Sequence, residues 1–116
     1  MQGLSHVKHE SITEWNEGIE IETPIDTLDK LFSDEKVQGI KMDVENFEYF
    51  VLKGGQELLK KNLPIIYTEL WDNENRQKCF KFLADLGYAP YVVIGHDHVS
   101  FDPAKHQMQN FIFIAN

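Results

Sequence analysis

The chain has 116 residues, of which 42% are hydrophobic and 12% aromatic, and this composition predicts one folded domain with a core. Its net charge of -8 and the lack of a Lys/Arg cluster argue against nucleic-acid binding, which depends on a basic surface. No apolar run approaches the roughly 18 residues of a membrane span, and the sequence does not open with a basic segment followed by an apolar one, as a signal peptide does. The one cysteine argues against a disulfide framework. We therefore expect a cytoplasmic protein.

The first three predicted elements are a strand, a short helix and a second strand. Ile19 to Glu22, with the sequence IEIE, alternates apolar and acidic residues as a half-buried strand does. The short helix is predicted to begin near Pro24, because proline is favoured in the first helical turn. Val37 to Met42 is the second strand, and it ends at Asp43.

A longer helix is predicted from Phe47 onward, where apolar residues recur at the three- and four-residue spacing of one helix face. Gly54 and Gly55 interrupt this pattern, and a glycine inside a helix costs about 1 kcal/mol relative to alanine. Either the helix breaks there or a neighbouring element packs too closely for a side chain, and we expect both effects in part. Glu48, in the first turn, is predicted to lie on a solvated helix face.

The second half begins with another strand and helix. Leu63 to Leu70 is a short apolar run, typical of a strand buried on both faces. Asp72 or Asn73 can cap a helix that ends near Leu86, with Cys79 on its apolar side as a buried thiol.

Two more strands follow with no helix between them. Gly87 follows the predicted helix at the position where the backbone often turns into the left-handed conformation. Tyr88 to Ile94 is the next strand. The sequence GHDH makes a turn, Phe101 to Gln109 is a polar loop, and Asn110 to Ala115 is the last strand. Strand and helix otherwise alternate, which predicts a single α/β domain with a mostly parallel sheet and an antiparallel last strand.

Acidic side chains stand at the ends of two predicted strands. Asp43 follows one strand, Glu69 nearly ends the next, and Glu45 lies on the exit loop behind Asp43. Because ligands bind outside the carboxyl ends of parallel strands, Asp43 and Glu69 are expected to project toward one edge. This arrangement suits a general base for a hydroxyl substrate or paired ligands for a hard cation. The competing explanation for Glu45 is structural, because acidic residues are favoured near the N-terminus of a helix.

Histidine and tryptophan give weaker signals. The histidines of interest form two pairs, His6 with His9 and His96 with His98. Neither pair has the third and fourth ligand of a zinc site at a recognisable spacing, so we expect no metal centre. Trp15 is predicted to anchor the N-terminal segment, and Trp71 to be buried under the following helix, with a pocket wall as the alternative.

Several linked motifs resemble the C-terminal half of FkbM-type methyltransferases. The segments IDTLDKLF and GIKMDVENFEYFVLKGGQELLKKNLPIIYTEL match that family's usual order over Thr23 to Leu70. The family pattern is a Leu-Asp helix start, a strand ending in Lys-x-Asp-x-Glu-Gly, a helix with Leu-Lys-Gly, and a strand closing in Glu-Leu. One departure is Asn46, which stands where the family usually has glycine.

The resemblance implies a Rossmann-like fold and methyl transfer from S-adenosylmethionine, usually to a hydroxyl of a sugar or secondary metabolite. Carried over by position, the strand-end acids of the family fall on Asp43, Glu45 and Glu69, which we take as the catalytic candidates. Its Lys-Gly falls on Lys53 and Gly54.

The cofactor-binding residues of such an enzyme have no counterparts that we can assign. The family holds S-adenosylmethionine with a glycine-rich loop after the first strand and an acid after the second, and this chain contains no GxG sequence. The chain therefore resembles the distal half of a class I methyltransferase, and we expect it to be inactive by itself.

Two other functions are compatible with parts of the sequence. A phosphoacceptor receiver domain has a similar size and a strand-end Asp, but it needs an acid pair after its first strand and a Lys-Pro after its last, which this sequence lacks. A non-catalytic α/β structural or interaction module is the stronger alternative. In either case Val37 to Met42 would present an open strand edge unless the IEIE segment or another copy covers it, and we expect self-association, as a homodimer through that edge.

Overall fold

The computed structural model describes residues 12–15, 18–21, 28–31 and 36–115. The first histidine pair and the predicted helix start at Pro24 lie outside these ranges, as does the side chain of Trp15.

Seven strands form one sheet in this part of the chain. They are β1 (Ile12–Trp15), β2 (Gly18–Ile21), β3 (Gly39–Met42), β4 (Ile65–Glu69), β5 (Tyr88–Ile94), β6 (Asp97–Ser100) and β7 (Asn110–Ala115). Their spatial order is β1-β2-β3-β4-β7-β5-β6, so the last strand of the chain lies between β4 and β5. Strand β2 pairs with β3 in parallel, which means that the IEIE segment covers the edge expected to be open.

The prediction of a mostly parallel sheet is wrong. Only the pairs β2 with β3 and β3 with β4 are parallel, whereas the other four pairs of described strands are antiparallel. The reason is connectivity, because only two residues of the sequence separate β1 from β2, and β5, β6 and β7 follow one another without a crossover helix. The prediction that the last strand is antiparallel is confirmed, since β7 runs opposite to both of its neighbours.

Four helices accompany the sheet in the described ranges. They are α1 (Leu28–Leu31), α2 (Glu48–Lys53), α3 (Gln56–Asn62) and α4 (Glu74–Asp85). Apolar side chains of α2, α3 and α4, such as Leu52, Leu59 and Leu83, are buried in one core with Ile40 and Ile66 of the central strands.

The opposite face of the central strands is open. Along β4, Ile66 and Thr68 are buried, while Ile65, Tyr67 and Glu69 are exposed. The prediction that Leu63 to Leu70 is buried on both faces is therefore wrong, because helices cover only one side of this strand.

The helix predicted from Phe47 breaks at Gly54 and Gly55, as expected, and Asp29 explains why the break is stable. The backbone N–H of Asp29 donates to the carbonyl of Gly54 over 2.9 Å. Its carboxylate accepts from the N–H groups of Glu57 (3.1 Å) and Leu58 (2.8 Å), which are free donors in the first turn of α3. Hydrogen bonds thus connect the Leu-Asp motif to the Lys-Gly motif, and we call this contact of Asp29 with Gly54 and the start of α3 the Asp29 joint.

Replacing Asp29 by alanine is expected to lower the free energy of unfolding by about 1–2 kcal/mol, because two N–H donors of α3 lose their acceptor. The measurement is urea denaturation followed by circular dichroism. Asp85→Ala is the matched control, since Asp85 is exposed and only forms a surface ion pair with Lys81. An equal change in the two variants would show that Asp29 caps nothing.

The ends of α4 follow the sequence prediction. Asn73 caps the helix, its Oδ1 accepting from the N–H of Arg76 over 3.2 Å, and Gly87 has a left-handed φ of 94°. Cys79 is buried, as predicted. Trp71 is 41% exposed, so its predicted burial is wrong, because Leu70 takes the inward position after β4.

Candidate active site

A cleft of about 870 Å³ lies at the carboxyl ends of β3 and β4. Both Asp43 and Glu69 line it. The register of the parallel pair places Met42 beside Thr68, and each acid follows one of these two residues directly. Because neighbouring strands lie about 4.8 Å apart, the backbones of Asp43 and Glu69 lie side by side at one end of the sheet. The sequence prediction that they share an edge is therefore supported by the geometry.

The rest of the cleft combines an apolar floor with polar walls. Tyr67, Ile112 and Val93 come from the open face of the sheet, and the segment Gln107 to Gln109 forms one wall. Lys41 also lines the cleft, with its Nζ 3.8 Å from a carboxylate oxygen of Glu20. Such a cleft can hold an organic molecule against the ring of Tyr67 and present its hydroxyl groups to carboxylates.

The third candidate acid stands apart from this cleft. Glu45 is exposed and is not among the residues that line the cleft. Its backbone is left-handed, with φ of 45°, and so is that of Asn46, with φ of 78°. The structure brings two of the three predicted acids together, and a catalytic role for Glu45 stays a prediction.

The conformation of Asn46 accounts for the glycine usually found at this position in the resembled pattern. A φ of 78° suits glycine, and asparagine tolerates it better than most other residues. The side chain adds a contact that glycine cannot make, since Asn73 Nδ2 donates to Asn46 Oδ1 over 2.9 Å. The departure at Asn46 therefore keeps the turn and links it to the start of α4.

Glu48 has a position that sequence reasoning missed. It is 2% exposed, so the prediction of a solvated helix face is wrong. One carboxylate oxygen accepts from Asn75 Nδ2 over 2.9 Å, and the other from the N–H of Asn46 over 3.3 Å. Asn75 also accepts from the N–H of Tyr49 over 3.2 Å. Helix periodicity could not reveal this, because α4 contributes the partner that draws Glu48 inward.

Burial, together with the negative charge of Glu48, raises the pKa of the Cys79 thiol to about 12. An ordinary thiol has a pKa near 8.5, so the folded chain holds a proton that the unfolded chain releases above that pH. We expect the free energy of unfolding to fall as the pH rises from 9 to 11, by roughly 3 kcal/mol from this group.

Chemical denaturation across this pH range measures the effect. Cys79→Val is the comparison, because valine is apolar, similar in size and does not titrate. The variant should lose stability less steeply than the parent chain, with the remaining slope including Tyr88, whose pKa burial also raises. Parallel pH profiles for the two chains would contradict the prediction.

The second histidine pair, His96 and His98, stands apart from other ligand side chains in the described residues. Both His96 and His98 are exposed, and within residues 12–15, 18–21, 28–31 and 36–115 no three His, Cys, Asp or Glu side chains are grouped to hold a metal ion. In the same ranges no helix is long and apolar enough to cross a membrane.

Comparison with known families identifies the chain. The family model described as “Methyltransferase FkbM domain” matches residues 2–107. This chain belongs to the FkbM methyltransferase family. No curated protein and no solved structure matches it. The FkbM match includes Asp43, Glu69 and eight of the thirteen residues that line the cleft.

Membership in the FkbM family implies a methyl donor, typically S-adenosylmethionine, but the described residues do not fit that molecule. The cleft is lined by no glycine, so it lacks a glycine-rich backbone turn for close approach. Gly18 and Gly39 begin β2 and β3, at the strand ends opposite to the cleft. Gly54 and Gly55 face the Asp29 joint, and Gly87 and Gly95 lie in turns after α4 and β5. The described part of this FkbM chain therefore provides carboxylates at the cleft but no glycine-rich turn that could bind the methyl donor.

Proposed function

We propose that this chain provides the acceptor side of an S-adenosylmethionine-dependent methyl transfer to a hydroxyl of a small molecule or sugar. The observation that carries the proposal is the shared cleft of Asp43 and Glu69, both of which lie in motifs that resemble the FkbM pattern. An α/β sheet that binds its ligand at the strand ends needs its reactive groups there.

Methylation of a hydroxyl by a sulfonium donor would form an O–CH3 bond as the donor's S–CH3 bond breaks and leaves a thioether, and the hydroxyl proton would pass to a base. Asp43 is the proposed base, since its carboxylate lies at the strand end within the cleft. Glu69, on the neighbouring strand, would accept a hydrogen bond from an adjacent hydroxyl and so orient the acceptor. Tyr67 would pack against the apolar side of the same molecule.

The methyl donor would be bound outside this cleft, because its lining residues do not fit S-adenosylmethionine. In this proposal the chain corresponds to the distal half of a class I methyltransferase, and it acts in the cytoplasm. The donor supplies an electrophilic methyl group, and the residues described above would position the acceptor and remove its proton.

A graft tests the proposal directly. Residues 23–70 of this chain would replace the matching segment of an active FkbM methyltransferase, and transfer of labelled methyl groups would be measured with its own acceptor. We expect the graft to keep measurable turnover. A folded graft that binds the donor but transfers nothing would count against an acceptor-side role.

The second candidate is a non-catalytic interaction module, and the lack of glycine in the cleft favours it. The two functions differ in what the isolated cleft binds. Nuclear magnetic resonance titration with sugars and polyols should shift the amide signals of Asp43, Tyr67 and Glu69 if the cleft holds an acceptor. Unchanged signals together with an inactive graft would favour the module.

A further inference from the structure

Arg76 of α4 carries a positive charge inside the domain, next to the cleft. It is 7% exposed, and its guanidinium carbon lies 5.1 Å from the centre of the Phe111 ring, which is one of the residues that line the cleft. Burying a charge is costly unless hydrogen bonds satisfy it. The contacts of this guanidinium therefore show which parts of the molecule it holds in place.

The guanidinium donates to two backbone carbonyls from different parts of the chain. Nε and Nη2 both donate to the carbonyl oxygen of Leu70, over 3.2 and 2.7 Å. Nη2 also donates to the carbonyl oxygen of Met108 over 3.4 Å. Nη1 lies 3.5 Å from a carboxylate oxygen of Asp72, whose side chain is 83% exposed. Arg76 thus connects the chain just after β4 to the loop just before β7.

Both carbonyls belong to segments that shape the cleft. Leu70 directly follows Glu69, and Met108 is the middle residue of the wall formed by residues 107–109, which we call the 107–109 wall. The N–H of Leu70 donates to the carbonyl of Gln109 over 2.7 Å. Leu70 is therefore fixed through both of its backbone polar groups, by the wall and by Arg76.

We infer that Arg76 is a positioning residue that fixes the end of β4, and with it Glu69, against the 107–109 wall. Arg76 does not line the cleft, and its Nε and Nη2 donors point to carbonyls, so it acts through Leu70 and not by touching a ligand. Its effect on acceptor binding rests on the proposed function, in which Glu69 orients the acceptor. Its hold on the wall rests on the hydrogen bonds alone.

Arginine has the shape that this role needs. The guanidinium is flat and carries its donors in fixed directions, so two nitrogens reach one oxygen while one face packs on an aromatic ring. Lysine keeps the positive charge but lacks both properties. Arg76→Lys should therefore loosen the contact between Leu70 and the 107–109 wall without removing the charge, and Arg76→Met should loosen it further.

Amide hydrogen exchange of the whole chain, followed by nuclear magnetic resonance, tests the hold on the wall. The N–H of Leu70 reports the bond to Gln109. The N–H of Ile65 is the internal reference, because it donates to the carbonyl of Gln38 over 3.0 Å at the other end of the same strand. We expect Arg76→Lys to speed exchange at least tenfold at Leu70 and less than threefold at Ile65.

Lys81→Met is the matched control for the loss of a cation from α4, because the Lys81 side chain is 81% exposed and its Nζ lies 3.6 Å from Asp85 at the surface. It should leave exchange unchanged at both reporter amides. Circular dichroism checks that each variant folds, and Arg76→Met is the second variant of the buried cation.

Titration with sorbitol, a polyol with several adjacent hydroxyls, tests the effect on the cleft, with the amide signal of Glu69 as the reporter. We expect Arg76→Lys to weaken sorbitol binding at least fivefold. In a chain that carries Glu69→Ala, the same replacement should change binding no more than twofold, because the effect of Arg76 passes through Glu69. A purely structural role would give equal losses in both chains.

The outcomes separate this inference from the proposed function. If sorbitol shifts no signal in the parent chain, the acceptor role of the cleft fails, and the exchange rates alone decide whether Arg76 holds the wall. Equal acceleration at Leu70 and Ile65 overturns the inference, as does unchanged exchange at Leu70 in both Arg76 variants. Equal losses of sorbitol binding with and without Glu69 overturn it as well. Selective acceleration at Leu70 in the Arg76 variants, but not in Lys81→Met, supports it.

Discussion

Asp43→Asn is expected to lower methyl transfer at least about a hundredfold in an active FkbM enzyme that carries residues 23–70 of this chain, while folding stays nearly intact. The substitution removes the proposed proton acceptor and keeps the size of the side chain. Asp43 is exposed at a strand end, so the core does not depend on it. Relief of repulsion from Glu69 in the neighbouring position should offset any lost interaction.

Turnover and the free energy of unfolding should be measured on the same preparations. Glu57→Gln is the control, because Glu57 is an exposed acid on α3 within the same grafted segment. It should change neither quantity appreciably. If Asp43→Asn keeps most of the activity, Asp43 is not the base, and Glu69 becomes the residue to test.

The chain by itself is expected to bind S-adenosylmethionine no more tightly than millimolar and to methylate nothing. The cleft offers carboxylates but no glycine-rich turn, and the described glycines lie elsewhere. Losing most contacts to the donor should cost several kcal/mol of binding free energy, and each 1.4 kcal/mol weakens binding about tenfold. Micromolar affinity would therefore fall by about a thousandfold.

Isothermal titration of the purified chain gives the measurement, with a complete FkbM methyltransferase titrated under the same conditions as the control. S-adenosylhomocysteine should behave in the same way as the donor. A micromolar dissociation constant would reveal a donor pocket in this chain and would remove the reason to assign it only the acceptor side.

The features that the sequence predicts correctly are those that local chemistry determines. The Asn73 cap, the left-handed Gly87 and the break at Gly54 each depend on one or two residues whose preferences are strong. The shared edge of Asp43 and Glu69 was also predictable, because it needs only two adjacent strands in parallel. That part of the candidate site follows from strand order alone.

Features that depend on distant partners could not be predicted in this way. Glu48 looks like a surface acid until Asn75 of α4 comes close enough to bind it. The exposure of Tyr67 depends on which faces the helices cover, and an apolar strand sequence does not show this. Strand β6 has the polar sequence DHVS, with no hydrophobic alternation, so its pairing with β5 gave no signal in the sequence.

The central place of β7 determines when this chain can finish folding as it is synthesised. Strand β7 connects β4 to β5, and none of the other described strands pairs across that gap. Until Asn110–Ala115 leaves the ribosome, β1 to β4 and the β5–β6 hairpin are separate pieces with exposed strand edges. A chain that has not yet gained this strand is therefore expected to be prone to aggregate, and removal of residues 110–116 should divide the described sheet in two.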